Sequence, residues 1–287
     1  MCEYIPYKGI DFPHLSVTLK DLNFMENEFQ VRDDDIFNVT YPKSGTTWVA
    51  EILSLIDTNG DPTWSKTIPN WERVPWLESP DTVEILQNKK EIPRLITSHV
   101  PKQLFCKSLA RSKAKVIYTV RNPKDVLVSL YYFSKMSVYY KDPKSFGDLM
   151  EKFLTGDVPY GSWFDHVTGW LELVGKDNFL LNTYEDLYWD LRGSVLRISK
   201  FLGKKFDNAV IDSIVEHATF KSMKENDMAN FRLLPNVYMD QDKSPFMRKG
   251  VTGDWKNHFT VAQSERFDKV YREKMHDCTV KFPWDRI

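Results

Sequence analysis

Several stretches of this chain bring together residue types that handle anions. Tyr41-Pro42-Lys43-Ser44-Gly45-Thr46-Thr47 links a short β-prone run, Ile36 to Thr40, to an apolar-periodic stretch beginning at Trp48. Small and hydroxyl residues at a helix entrance make a phosphate site, because first-turn N–H groups lack partners there and the helix dipole favours negative charge. Ser44, Gly45, Thr46 and Thr47 can wrap a terminal phosphate while Lys43 reaches the group being transferred. Taken alone, the loop also reads as a plain strand-to-helix turn. Arg121 follows the run Lys115 to Val120, and Ser129 lies two helical turns later, so a guanidinium and a hydroxyl face one side and suit a second phosphate. Surface ion pairing is the other use of such an arginine. Arg248-Lys249-Gly250 adds two cations and a glycine that lets backbone approach a ligand, although basic triplets also serve as solvated loop. Of six histidines, His99 directly follows the run Arg94 to Ser98, which puts a potential base at the sheet edge where Lys43 sits.

Positioning these groups falls to alternating elements. Short strands at 36–40, 94–98, 115–120 and 178–182 are separated by helical stretches such as 146–154 and 191–202, which predicts an α/β fold with a central, mainly parallel sheet flanked by helices. Ligands then lie beyond the carboxyl ends of the strands, where every candidate above falls. No polar tract marks a linker and no fixed-period repeat occurs, so residues 1–287 are read as a single domain. Asn38-Val39-Thr40 matches a glycosylation sequon, but inside a strand that reads as buried.

Lysine and arginine total 39 against 40 for aspartate and glutamate, so a net charge of −1 offers no global attraction to nucleic acid or an anionic membrane. Cys2, Cys106 and Cys278 form neither a zinc pattern nor a disulfide framework, which fits a reduced, cytoplasmic setting. The first residues lack a basic segment followed by an apolar run, and no stretch of about 18 apolar residues occurs, so neither export nor a membrane span is expected. The loop also lacks the Walker glycine pattern, and no acidic metal site accompanies it, which disfavours a nucleotide kinase. From a different class, a catalytically silent binder of a nucleotide or a hydrophobic ligand stays open.

Tyr41 to Trp48, Arg121-Asn122-Pro123-Lys124-Asp125, and Arg248-Lys249-Gly250 followed by Gly253-Asp254-Trp255-Lys256-Asn257 resemble the three signatures of the cytosolic sulfotransferases. Tyr160-Gly161-Ser162-Trp163-Phe164-Asp165-His166 and Phe220-Lys221-Ser222-Met223-Lys224 match further family segments, in order, and the resemblance covers nearly the whole chain. It implies 3′-phosphoadenosine 5′-phosphosulfate (PAPS) as sulfuryl donor, PAP as product and no metal. Lys43, Ser44, Gly45, Thr46, Thr47 and Trp48 would hold the 5′-phosphosulfate end, with Trp48 packed on the adenine beside Phe220 and Tyr184 and with Thr219 and Met223 nearby. Arg121, Ser129, Arg248, Lys249 and Gly250 would take the 3′-phosphate. The resemblance makes His99 the general base, Lys43 the group that stabilises the bridging oxygen, and Ser129 the group that steers Lys43. Ala218 departs from the family, which usually carries Ser or Thr there as part of the cofactor pocket; Thr219 is the neighbouring hydroxyl that could compensate.

Phe12, Trp71, Trp76, Phe133, Met136, Tyr139 and Phe231 supply large apolar surfaces in the regions that the family uses for its acceptor. Thr97-Ser98-His99 lacks the lysine that phenol and estrogen sulfotransferases carry two residues before the histidine, and Trp71 and Trp76 are more similar to the hydroxysteroid branch. A small apolar alcohol such as a hydroxysteroid is the expected acceptor, with phenols and amines as alternatives. Lys256 to Glu265 resembles the family's short dimer segment, which implies a homodimer through Lys256, Thr260, Val261 and Glu265; a helix start capped by Thr260 is the local alternative.

Overall fold

The computed structural model describes residues 3–286 apart from 81, 91 and 92. It opens with an antiparallel hairpin of β1 (Tyr4–Tyr7) and β2 (Ile10–Pro13), turned at Lys8 and Gly9, both with positive φ (49° and 83°) as a tight hairpin turn requires. The sequence reading missed this hairpin. Its four-residue strands carry Pro6, Asp11 and Pro13, which mute the alternation that marks a strand.

Next come β3 (Ile36–Thr40), β4 (Leu95–Ser98), β5 (Lys115–Val120) and β6 (Phe179–Thr183), all parallel in the order β4-β3-β5-β6. These are the four expected strands, with β6 one residue further along. The helices expected at 146–154 and 191–202 run Phe146–Thr155 and Leu191–Phe201. Successive side chains in a strand point to opposite faces, and here both faces are covered. Phe37, Val39, Val116, Tyr118 and Val120 join one core, while Ile36, Leu95 and Ile117 meet Val49, Ile52, Leu53 and Ile56 of the helix Thr46–Asp57 in the other.

Polar ties fix the sheet's register. Arg94, at the start of β4, grips Asp35, just before β3, through Nε and Nη2 at 2.6 and 2.5 Å, and both side chains are almost fully buried. Losing either partner of such a pair costs about 3–5 kcal/mol, because the other charge is left buried and alone. Asn38 Nδ2 donates to the Thr46 carbonyl at 3.0 Å inside the core, so the sequon asparagine serves as an internal tie. Among the described residues, no helix is long and apolar enough to cross a membrane.

Candidate active site

Beyond the carboxyl ends of β3, β4 and β5 lies a cavity of about 400 Å³, lined by both groups of sequence-predicted residues. β3 ends at Thr40, and the chain passes through the loop into the helix Thr46–Asp57. Lys43 (φ 69°) and Gly45 (φ 99°) are both left-handed, which curls the loop back over the helix entrance. The Tyr184 ring packs so closely on Gly45 that an added Cβ would sit 3.0 Å from it. Trp48 meets the same ring edge-on at 5.4 Å and donates from Nε1 to the Ala218 carbonyl at 2.7 Å.

Arg121, immediately after β5, donates from Nη1 to the Lys43 carbonyl (3.0 Å) and from Nη2 to the Val251 carbonyl (3.2 Å), with its guanidinium 4.0 Å above the Tyr184 ring. It therefore joins the first loop to the last. Asp125, in the first turn of the helix Pro123–Met136, accepts from Gly253 N–H (2.7 Å) and Trp255 N–H (2.9 Å), holding the last loop from below. Arg248, Lys249 and Gly250 line the cavity on that loop. Arg248 and Lys249 also meet Asp254, at 2.9 and 2.6 Å. Burial opposes ionisation of Asp254, yet hydrogen bonds from Lys249, Asn257 and Arg248 hold its carboxyl well below the usual range. Gly250 is left-handed (φ 65°), and a Cβ there would lie 2.1 Å from the Phe220 ring, so only glycine fits.

His99 follows β4. Its Nδ1 donates to the Thr40 carbonyl at 2.7 Å, which assigns the ring proton to Nδ1 and leaves the Nε2 lone pair free of any described hydrogen-bond partner. Trp76 packs on the ring at 4.6 Å and Tyr160 at 5.3 Å. Burial drives the imidazole pKa down to about 3, with His166 and Lys43 adding to the effect and the Thr40 bond opposing it. The ring is neutral at physiological pH, with its base lone pair available. His166 is fully engaged by contrast: Nε2 donates to the His99 carbonyl (3.0 Å), and the Tyr118 hydroxyl donates to Nδ1 (2.9 Å). The His217 ring bonds its own helix at Ser213, and His258 bonds Asp254.

The Lys43 ammonium lies 3.8 Å from the centre of the Phe133 ring and 4.7 Å from that of Phe246. Ser129 also lines the cavity, but the cation rests on the aromatic rings in place of the serine contact anticipated from sequence. Burial, followed by repulsion from Arg121 and Arg248, lowers the Lys43 pKa to about 7.

The cavity wall also includes Gly45, Thr46, Thr47, Trp48, Tyr184, Phe220, Met223, Trp71, Trp76, Tyr139 and Phe231. Four anticipated residues fall outside it. Ser44 is fully buried under the loop, with its hydroxyl unpartnered. Thr219 caps the helix Phe220–Glu225 by accepting from Ser222 N–H, so its hydroxyl cannot stand in for one at the buried Ala218. Phe12 packs behind the wall, edge-on to Tyr160 at 5.3 Å. Met136 lies in a small core with Phe231 and Met239, one layer back. The sequence reading missed Glu78, Tyr140, Leu234, Met239 and Phe246, which line the cavity from loops. No local sequence signal marks them, because their neighbours in the cavity come from distant segments. Among the described residues, no group of three or more His, Cys, Asp or Glu side chains is placed to hold a metal ion.

Residues 33–279 match the sulfotransferase domain family. The chain is 52% identical to rat sulfotransferase 2B1 over 284 residues, covering 99% of this chain and 83% of that protein. It is 49% identical to a 3-beta-hydroxysteroid sulfotransferase of Cavia porcellus, over 97% of each chain. Among solved structures, mouse sulfotransferase SULT7A1 complexed with PAP superposes with a TM-score of 0.80 at 32% identity, over 96% of both chains. The loop, the arginine stitch and the histidine at the end of β4 thus sit in a chain that belongs to the sulfotransferase family.

Proposed function

We propose that this protein transfers a sulfuryl group from PAPS to the hydroxyl of a small apolar acceptor, a hydroxysteroid or a related alcohol. The observation that carries the reading is one cavity that brings together the cations Arg121, Arg248 and Lys249, the apolar rings of Trp71, Phe133, Phe231 and Phe246, and the His99 imidazole with the Lys43 ammonium. The relatives named for hydroxysteroids and the PAP-bound fold neighbour point the same way.

The nucleotide end fits its ligand in chemistry. The N–H groups of the Thr46 helix and Lys43 suit the 5′-phosphosulfate, Trp48 and Phe220 offer faces for a base, and Arg121, Arg248 and Lys249 suit the 3′-phosphate. Bound there, the donor supplies an activated sulfuryl group. His99 Nε2 takes the proton from the acceptor hydroxyl as its oxygen bonds to sulfur. Lys43 leaves its aromatic seat and donates to the bridging oxygen, which keeps the electron pair of the broken S–O bond on the departing nucleotide. Ser129 can guide the ammonium on that path. Residues 1–287 act in this reading as one domain.

Incubation with labelled PAPS against a hydroxysteroid, a bile alcohol, a phenol and an arylamine tests the proposal. Label on the hydroxysteroid or bile alcohol supports it; preference for the phenol or amine corrects the acceptor class, and nucleotide binding with no transfer to any of them would leave a silent binder. A cytoplasmic setting and a homodimer belong to the same reading. Val261, 76% exposed at the start of the helix Val261–Lys274, is what supports the dimer in the segment 256–265, whereas Thr260 caps that helix as the local alternative requires. A sedimentation profile that stays monomeric at high protein concentration would remove the dimer.

A further inference from the structure

Glu78 lines the same cavity, yet none of the motifs contains it. Its placement follows from backbone pairing. Thr97 N–H donates to the Pro75 carbonyl and Leu77 N–H to the Thr97 carbonyl, both at 2.8 Å, so 75–77 runs beside β4 in parallel with Trp76 opposite Thr97. Two residues further along each segment, the same register sets Glu78 against His99. One oxygen, Oε1, accepts from the His99 main-chain N–H at 2.8 Å. The other, Oε2, has no partner, although the residue is only 1% exposed. A buried carboxylate oxygen without a donor is costly, and such a group calls for a use.

His99 and Ser98, at the end of β4, are the nearest polar groups to Glu78; its charge is also felt at Tyr140, Tyr160 and Cys106, and Lys43 borders the same cavity. None of the groups beside it carries a formal charge at neutral pH until His99 accepts a proton. We propose that Glu78 is a positioning residue for sulfuryl transfer, anchoring the His99 main chain with one oxygen and countering with its charge the imidazolium formed when the acceptor proton reaches Nε2. The inference rests on His99 being the base.

Burial lifts the Glu78 carboxyl to about 7, against the opposing hydrogen bond from the His99 N–H. Protonated Glu78 offers no charge to an imidazolium, so turnover at saturating donor rises with pH through about 7. Lys43, with a pKa of about 7 in the unliganded protein, keeps its proton when the anionic donor is bound beside it and adds no falling limb in this range. The pH dependence of kcat at saturating donor then reports Glu78.

Glu78→Gln keeps the shape and the acceptor for His99 N–H but removes the charge. Its expected kcat at pH 8 is roughly tenfold below wild type, with the rising limb gone and PAP affinity unchanged. Glu78→Asp, which restores the charge on a shorter arm, should recover part of the loss. A Gln variant with wild-type kcat and pH profile overturns the proposal. Should that variant not fold, imidazole ¹⁵N spectra of the wild-type protein with PAP bound decide: the His99 Nε2 resonance should shift with a midpoint near pH 7, and a flat response counts against the idea. Full activity in His99→Ala would instead remove the base reading itself.

Discussion

The two ends of the cavity are built by different rules. At the nucleotide end, hydrogen bonds to main chain fix the parts: Arg121 holds the carbonyls of Lys43 and Val251, and Asp125 holds two N–H groups of the last loop. At the acceptor end, Trp71, Phe231, Phe246 and Phe133 meet through ring faces and edges, with centroids 4.3 to 6.4 Å apart. A hydrogen-bonded site rejects a ligand lacking the matching group by large factors, whereas a methylene more or less in an apolar pocket changes binding by only about 1–3 kcal/mol. The donor should therefore be strictly selected and the acceptor loosely.

Four measurements can break or sharpen that contrast. The largest effect is expected at the junction of the two ends, where His99→Ala should lower turnover by roughly a hundredfold or more while PAP affinity stays within about twofold; unchanged turnover would relocate the base. Next is Gly250→Ala, which forces a left-handed alanine against Phe220. Strain of about 1–3 kcal/mol should cost roughly tenfold or more in PAP affinity by calorimetry, with little change in the acceptor KM. On the apolar side, Trp71→Ala removes one face of the Phe231 contact and should raise the acceptor KM several-fold without touching nucleotide affinity. A comparable loss at both ends would show that they are mechanically coupled. The smallest signal is a proton count. Because the Lys43 pKa is held down to about 7, a fraction of the ammonium is lost as pH rises past that value. An anion bound beside it restores the proton, so PAPS binding at pH 8 should take up part of a proton, read from calorimetry in buffers of differing ionisation enthalpy. No uptake would place Lys43 away from the charged group.

This contrast also explains what could be read in the chain. β3, its loop and the helix after it are contiguous, so the strand, loop and helix entrance from Ile36 to Trp48 could be read from one short stretch, with a phosphate site as one of its two readings. His99 could be singled out because it ends a strand. The acceptor wall has no such local signature: Trp71, Tyr139 and the pair Phe231 and Phe246 come from three distant segments, and any core would welcome the same side chains. Phe12 and Met136 show the cost of that ambiguity, since both are large and apolar and both pack one layer behind the wall. Ser44 and Thr219 missed the cavity for a subtler reason. Within a loop or cap, the direction of a hydroxyl depends on φ and on the nearest N–H, which residue spacing does not encode. Glu78 stayed invisible because its neighbour across space, His99, is set by the pairing of 75–77 with β4.

The stitch between Arg121 and Val251 spans 130 residues, and that between Asp125 and Gly253 spans 128. During synthesis, the first loop, β5 and the Asp125 helix emerge long before the segment that closes the site. A nascent or truncated chain therefore has only an open half-socket, and dissolved nucleotide cannot hold it in its native form. Only the finished polypeptide gains stability from the donor by mass action.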